Sequence, residues 1–318
     1  MPFAKSLVLT ALAAAVCTSA ALAADINTDY KPKVAANEMK RIEAAMPTQP
    51  YVKPAKPRKI LVYVESKGYY HDSIPVCAFA LKMMGEKTGA FQADLTDDDV
   101  NTWSLENLNK YDGIFMDNCV GDHPKTAEGK KDFIEYIKSG HGLMGCHAGA
   151  DCNHNWPDYF DMIGGEFGGH PWGKASIKNE DPKNPVNQMF DGKGFVTSEE
   201  IYTFKMTNDK RAQGYGRDKL HILLSVDMEN SHYKDTTRKD MDYGISWIQE
   251  YGKGKVFYTA IGHNRSHFWH PIVLQHYLAG IQYALGDLKA DATPTAKMNP
   301  APTVGPGPDI KSPTFDPK

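Results

Sequence analysis

Near its middle the chain reads Gly142-Leu143-Met144-Gly145-Cys146-His147-Ala148-Gly149-Ala150-Asp151, an apolar run that leads into a turn of small residues. The residues that follow can begin a helix. Open α/β sheets place reactive side chains at such turns, beyond the carboxyl end of a strand. His147 lies at the tip, and one helical turn would bring Asp151, four residues later, to the same face. These residues therefore predict an α/β sheet with a base or metal ligand beside a carboxylate.

Segments typical of strands and helices alternate on both sides of this turn. Strands are predicted at 59–64, 91–95 and 113–117, and a further strand at 143–146 leads into the turn. Helices are predicted at 73–87 and 126–138. That order predicts a parallel sheet with helices on both faces. Further strands are predicted at 175–178, 201–205, 221–226, 244–249 and 256–260, before a closing helix at 271–285. We therefore expect an α/β core with an inserted or appended β-rich section.

The composition argues against two classes of partner. The 318 residues carry a formal net charge of −3, which gives no electrostatic attraction to nucleic acid or to an anionic membrane. The N-terminus is typical of a secretory signal, because Lys5 precedes an apolar segment at 6–22 and Ala21-Leu22-Ala23 matches an A-x-A cleavage site. No later segment is long and apolar enough to span a bilayer. We expect a periplasmic or secreted protein.

Three parts follow the predicted signal peptide of residues 1–23. Residues 24–58 hold one helical candidate at 37–46 and a Pro/Lys-rich stretch at 47–58, and we interpret them as a strap or linker. Residues 59–288 form the main domain. Residues 289–318 are rich in Pro, Thr, Lys and Gly without apolar periodicity, which predicts a disordered tail.

Four cysteines remain beyond the predicted signal peptide, namely Cys77, Cys119, Cys146 and Cys152. An oxidising compartment permits disulfides, and four thiols allow three complete pairings. Buried free thiols are an equally good interpretation, because free cysteine is among the most buried residue types. The cysteine spacing fits no zinc ribbon or haem attachment motif.

Polar side chains follow the predicted parallel strands, where ligands bind in this architecture. In chain order these loops supply His71, Asp72, Asn118, His147, Asp151, Glu166, His170, His263 and Arg265. Plainer roles are open for some of them, because Asp72 can cap the next helix and His170 can shape a Gly-rich turn. Zinc needs ligands that converge tetrahedrally, and His71, His147 and His263 are the candidates, although no helical histidine pair frames them.

At these residues the chain resembles the ThuA-like family, which is named for trehalose utilisation. The resemblance runs from about Lys59 to Gly286, and its main motifs are GYYHDSIP at 68–75, GCHAGAD at 145–151, EEIYTF at 199–204 and EYGKGKVFYTAIGH at 250–263. That family is similar in fold to the class I glutamine amidotransferases. The resemblance implies a flavodoxin-like, amidotransferase-like parallel sheet flanked by helices, with an additional β-rich section.

The amidotransferase comparison also excludes a reaction. Those enzymes carry a nucleophilic cysteine in a Gly-x-Cys-x-Gly turn, whereas this chain has His147 at that position. Cys146 comes one residue earlier, where alternation along the strand turns it inward. Glutamine hydrolysis through a thioester is therefore not expected. The chain also has Tyr243-Gly244 where family members often have His-Pro, which is expected to reshape one wall of the site.

The resemblance implies carbohydrate handling, often beside oxidoreductases that make 3-keto sugars. We expect an enzyme that acts on a sugar or 3-keto-glycoside by acid–base chemistry, through isomerisation, elimination or hydrolysis. The expected catalytic residues are His147, oriented by Asp151, together with His71, Glu200 and His263. The expected substrate-binding residues are Tyr70, Asp72, Asn118, Trp156, His170, Tyr202 and Arg265, and the rings of Tyr69, Tyr70, Trp156 and Trp172 are candidates to stack on sugars.

Two other functions stay open. The same pocket can serve a non-catalytic carbohydrate-binding or accessory protein for a sugar oxidoreductase. It can also serve a metal-dependent hydrolase with zinc at His71, His147 and His263, although no cofactor is firmly predicted. The sequence lacks a glycine fingerprint for a nicotinamide cofactor, so redox catalysis by the chain alone is not expected.

Overall fold

The structure is a computed structural model that describes residues 1, 24–205, 214–232, 238–308 and 311. Apart from its first residue, the predicted signal peptide lies outside the described residues. Within the described ranges, none of the helices has both the length and the apolar character needed to cross a membrane.

The described chain forms six α-helices and eleven strands. The helices are α1 (Ala36–Ala45), α2 (Ile74–Thr88), α3 (Leu105–Leu108), α4 (Ala127–Lys138), α5 (Pro157–Ile163) and α6 (Pro271–Ala284). The strands are β1 (Lys59–Tyr63), β2 (Gln92–Thr96), β3 (Gly113–Asp117), β4 (Gly142–Cys146), β5 (Phe167–Gly169), β6 (Trp172–Asn179), β7 (Phe195–Glu200), β8 (Thr203–Phe204), β9 (His221–Val226), β10 (Gly244–Tyr251) and β11 (Gly254–Thr259). Short 3₁₀ helices cover His147–Ala150, Pro185–Phe190, Arg265–Trp269 and Thr295–Lys297.

Five neighbouring strands form the parallel part of the main sheet. Their order is β2-β1-β3-β4-β11, and each adjacent pair is parallel. This is the flavodoxin-like order, in which the chain direction of the connections reverses between β1 and β3 and ligands bind beyond the strand ends. Every residue of β3 and β4 is buried, as expected for central strands covered by helices on both faces. The predicted α/β fold class is confirmed.

Four more strands continue the same sheet beyond β11, in the order β10-β9-β6-β7, and each adjacent pair is antiparallel. Strands β5 and β8 form a separate antiparallel ribbon. This is the additional β-rich section. The prediction of a strand at 201–205 was wrong in its bounds, since β7 ends at Glu200 and only Thr203 and Phe204 form β8. The predicted pattern missed β7 because its last two residues are both glutamates.

Hydrogen bonds and an ion pair hold residues 24–58 against the domain. The side-chain oxygen of Gln282 in α6 accepts from the Tyr51 backbone N–H at 2.8 Å, and its amide donates to the Val52 carbonyl at 2.6 Å. Arg58 donates from Nη2 to Asp287 Oδ1 at 2.7 Å. The segment therefore lies along the surface as a strap, rather than as a free linker.

Residues 290–308 lie against the β-rich section, where we expected disorder. The Gly305 N–H donates to the Asn179 carbonyl at 2.7 Å, and the Pro306 carbonyl accepts from Gly194 at 3.2 Å. Thr295 Oγ1 accepts from the Ile222 N–H at 2.8 Å. The expectation rested on side-chain composition, whereas this segment is held largely through its backbone. Residues 309, 310 and 312–318 lie outside the described part of the chain.

The cysteines at 77, 119, 146 and 152 are all buried free thiols in the structure. Cys119 Sγ and Cys152 Sγ lie 3.5 Å apart, in the loops that follow β3 and β4. Cys146 points inward from the end of β4, and its Sγ lies 3.9 Å from Asp117 Oδ1. The inward position agrees with the argument against a nucleophilic role for Cys146.

Candidate functional site

Three histidines and one carboxylate meet beyond the carboxyl ends of the parallel strands. His71 follows β1, His147 follows β4, His263 follows β11, and Glu200 ends β7. One ring nitrogen of each histidine and one Glu200 oxygen all lie within 4.8 Å of one another. In sheet order β7 is five strands from β4, which in a flat sheet would be about 24 Å. The antiparallel section therefore curls back over the parallel strand ends to deliver Glu200.

His147 is fully buried and fixed from several sides. Its φ is 40°, a left-handed value that is rare for a residue with a side chain and is typical of functional turns. The Tyr258 hydroxyl donates to its carbonyl oxygen at 2.7 Å, and the Tyr202 ring lies 3.9 Å away, centroid to centroid. Its Nδ1 lies 3.1 Å from the Ala260 carbonyl. Because a carbonyl can only accept, Nδ1 carries a hydrogen, so in the neutral form of the ring the lone pair is at Nε2.

One oxygen of Glu200 faces three histidine nitrogens. Its Oε2 lies 3.4 Å from His147 Nε2, 3.0 Å from His263 Nδ1 and 3.7 Å from His170 Nε2. Burial acts to raise the pKa of Glu200, but the neighbouring histidines, His147 first and then His263 and His170, outweigh burial and lower that pKa. The carboxylate is therefore ionised at neutral pH.

His71, in the loop after β1, is the remaining member of the cluster. It is buried, and its Nδ1 has no hydrogen-bond partner among the described residues. Its ring lies 4.8 Å from that of His147 and 5.5 Å from that of His263, measured between centroids. Burial first, and then the neighbouring histidines, lower the pKa of His71 to about 3. The ring is therefore neutral at any physiological pH.

A second layer supports Glu200 and His263, and the sequence reasoning missed it. Glu199 and His267 are both buried, and their side chains meet at 2.6 Å. Glu199 Oε1 accepts from the His263 backbone N–H at 3.1 Å, while His267 Nε2 lies 3.0 Å from Thr197 Oγ1. Two adjacent glutamates at a strand end were the available signal, because neighbouring strand residues face opposite sides.

Asp151 does not orient His147, which corrects the prediction. Its Oδ1 lies 3.0 Å from His154 Nε2, and His147 is held by the Ala260 carbonyl and Glu200 instead. The turn after β4 is a 3₁₀ helix, which advances about 120° per residue, so Asp151, four positions after His147, lies about 120° around the axis from it. An α-helical turn would have placed them together.

Several residues predicted to bind substrate have structural partners. Asn118 is fully buried, and its Oδ1 accepts from the Ala148 N–H at 3.3 Å. Trp156 is buried against Phe133 and Tyr159. These two side chains hold the turn and the core, so neither is placed to contact a ligand.

Arg265 is engaged by the strap. Its Nε donates to Glu38 Oε1 at 2.7 Å and its Nη2 to Glu38 Oε2 at 2.6 Å, a two-point pair. Its Nη1 also donates to the backbone carbonyl of Asp72. The arginine thus clamps α1 to two loops at the rim, and its charge is already paired.

Exposed aromatic rings stand beside the histidines. Tyr69 is 66% exposed and its ring lies 4.8 Å from that of His71. Trp172 is 56% exposed and its ring lies 5.6 Å from that of His263. Tyr70, also predicted to bind, is 54% exposed, whereas Tyr202 is buried against His147. Large rings left open to solvent beside polar groups are typical of a binding surface.

Fold and site together define a flavodoxin-like α/β protein with a histidine–carboxylate centre at the strand ends. The model of the ThuA family, described as trehalose utilisation, matches residues 59–284. The chain belongs to this family, which is linked to carbohydrate metabolism.

Two solved structures are similar to this chain. A ThuA-like protein from Bacteroides uniformis is 23% identical, with a TM-score of 0.55 over 74% of this chain and 94% of that one. A ThuA-like protein from Parabacteroides merdae is 18% identical, with a TM-score of 0.53 over 74% of this chain and 93% of that one. No curated protein matches the chain. At these identities the similarity shows the fold.

Proposed function

We propose that this protein is an exported enzyme that transforms a sugar or 3-keto-glycoside by proton transfer. The observation that carries the proposal is the meeting of Glu200 with three histidines beside two exposed aromatic rings, in a chain of the ThuA family. The signal-like N-terminus supports export.

We assign catalytic roles within the cluster from the solvent exposure of each side chain. Glu200 and His263 keep 18% and 21% of their side-chain surface, and His170 keeps 37%, whereas His147 keeps none. We therefore assign proton abstraction to Glu200 and proton donation to His263 or His170. His147 takes the role of a positioning residue that holds Glu200. This differs from the sequence-based hypothesis, in which His147 itself moved the proton.

The chemistry suits a ketone. A C–H bond beside the ketone is acidic, so Glu200 takes that proton and the bonding electrons form an enolate on the ketone oxygen. Return of a proton to the opposite face of that carbon gives isomerisation. Expulsion of the glycosidic oxygen from the adjacent carbon, with a proton from an imidazole, gives elimination. Tyr69 and Trp172 supply flat faces for the sugar ring.

The test is hydrogen exchange and product analysis with the full chain. The chain is incubated in deuterated water with 3-keto-trehalose or 3-keto-glucose, and with the unoxidised sugars as comparison. We expect deuterium beside the ketone and a new product only from the keto sugars. Glu200→Gln should lower the rate by roughly 10²–10⁴-fold.

His141→Gln is the matched control, because His141 precedes β4 at the opposite end of the strand that His147 follows. It should keep the wild-type rate. Saturable binding of the keto sugar without exchange or product would overturn the enzyme proposal and support a carbohydrate-binding protein instead.

A further inference from the structure

We propose that His71, His147, His263 and Glu200 bind one divalent transition-metal ion of the zinc class. The inference rests on the proposed function for the ion's catalytic role, but the binding itself requires no sugar. It starts from three histidine nitrogens and a carboxylate that face one another without forming hydrogen bonds.

The first step is the state of the ring nitrogens. His71 Nδ1, His147 Nε2 and His263 Nδ1 are buried and have no hydrogen-bond partner among the described residues. His147 Nε2 and His263 Nδ1 lie close to Glu200 Oε2, yet neither contact has the alignment of a hydrogen bond. Buried polar atoms normally have partners, so nitrogens that converge without pairing fit a cation bound between them.

The second step is distance. Zinc bonds of 2.0–2.1 Å in a tetrahedron place neighbouring ligand atoms about 3.3–3.4 Å apart. The separations from Glu200 Oε2 are 3.4 Å to His147 and 3.0 Å to His263, and all four ligand atoms lie within 4.8 Å. Small side-chain rotations would bring the remaining pairs to the tetrahedral edge.

The third step is the support behind the ligands. Metal-binding histidines usually donate their other ring N–H to a carbonyl or carboxylate, which fixes the tautomer. His147 does so through Nδ1 and the Ala260 carbonyl, 3.1 Å away. The φ of 40° at His147 then aims Nε2 into the cluster. The turn therefore presents the nitrogen ready to coordinate.

Access separates this cluster from a second group of metal-binding side chains. Cys77, Asp117 and Cys146 also lie within 4.8 Å of one another, but all three are fully buried. Glu200 and His263 are partly open to solvent, which gives an ion a way in. Three imidazoles and one carboxylate suit zinc among the common cations.

The ion deepens the proposed chemistry. Four side chains complete a tetrahedral shell, so a ketone oxygen would have to bind as a fifth ligand. The ion would then act as a Lewis acid that draws electron density onto that oxygen, which makes the neighbouring C–H bond more acidic. In the metal-bound chain Glu200 and His263 would be ligands, so the proton transfer assigned above to Glu200 would pass to another group. His170, 37% exposed and 3.7 Å from Glu200, is the histidine left to move the proton.

The experiment measures metal alone. The full chain, purified with a histidine-free affinity tag, is stripped with a chelator, freed of it and titrated with zinc against a chromophoric indicator. We expect one zinc per chain by elemental analysis. Cobalt in its place should give the intense visible bands of a tetrahedral site.

The variants decide whether the site is the one proposed. Because loss of a mere supporting contact costs roughly 10–100-fold in affinity, His147→Ala and Glu200→Gln should weaken binding at least about 100-fold. His141→Ala, at the other end of β4, should bind as the wild type does. Circular dichroism and thermal melting check that each variant folds, and Glu200→Gln keeps shape if His147→Ala unfolds.

No zinc on the stripped chain at micromolar metal, or equal binding by wild type and both ligand variants, would overturn the inference. Turnover of the keto sugar by the metal-free chain would overturn the catalytic role of the ion. Acid–base catalysis by the side chains would then explain the reaction. Zinc bound as predicted, with no reaction of any keto sugar, would instead overturn the proposed function and leave the metal site standing.

Discussion

Oxidation of the chain prepared without its predicted signal peptide should join Cys119 to Cys152. Their sulfur atoms lie 3.5 Å apart, and both cysteines are buried where the loops after β3 and β4 run side by side. A backbone bridge between Gly121 and Cys152 already holds these loops together. A disulfide needs about 2.05 Å, so the sulfur atoms must close by roughly 1.5 Å, which side-chain rotation can supply.

The gain in stability can be worked out from the loop that the bond closes. The cysteines are 33 residues apart, and loop-closure entropy then predicts about 3.7 kcal/mol of stabilisation. For a domain of this size each kcal/mol moves Tm by about 2–4 °C, so oxidation should raise Tm by roughly 7–15 °C.

The assay compares the chain after refolding with oxidised glutathione and after full reduction. Intact mass should fall by two hydrogen atoms, and peptide mapping after alkylation should find Cys119 and Cys152 linked. Cys152→Ser should abolish both the link and the gain in Tm, while Cys77→Ser should abolish neither. Four alkylated thiols after oxidative refolding, or a link that leaves Tm unchanged, would refute the reasoning.

Two further predictions concern Trp172 and His154. Trp172→Ala should raise KM for the keto sugar by about 2–10-fold with kcat unchanged, since a lost aromatic face costs about 0.5–1.5 kcal/mol; steady-state kinetics with an unchanged KM would remove Trp172 from binding. The contact with Asp151, opposed by burial and helped by Glu166, raises the pKa of His154 to about 9. Its stabilising contribution is therefore complete below about pH 6.5 and is lost as pH rises through about 9. Urea unfolding should show His154→Gln less stable than wild type near pH 6, with the difference shrinking toward about pH 9.5; a constant difference would contradict it.

The convergence of His71, His147 and His263 could be predicted because it follows from topology. Parallel strands end at one edge, so loops after β1, β4 and β11 must lie close together whatever their detailed shape. The place of Glu200 did not follow from that rule, because it depends on how far the antiparallel section curls. The resemblance to a family supplied Glu200, and the residue pattern did not.

The wrong predictions for Asp151 and Trp156 have local structural causes. A helix and a 3₁₀ turn share the same start at His147, and their different rise and rotation decide whether Asp151 faces the site. The aromatic Trp156 has the same side chain as Trp172, yet one is buried and the other 56% exposed. Sequence alone gives no basis for that distinction, because burial depends on packing between distant segments.

The ion pair of Arg265 with Glu38 links the site to a helix that lies upstream of the matched family domain. The family match begins at Lys59, yet the guanidinium that braces the Asp72 loop takes its carboxylate partner from Glu38, in the helix upstream. A protein cut back to the matched region would keep every strand and lose that counter-charge at the mouth of the site. The rim can therefore reach its final shape only after the upstream helix has docked.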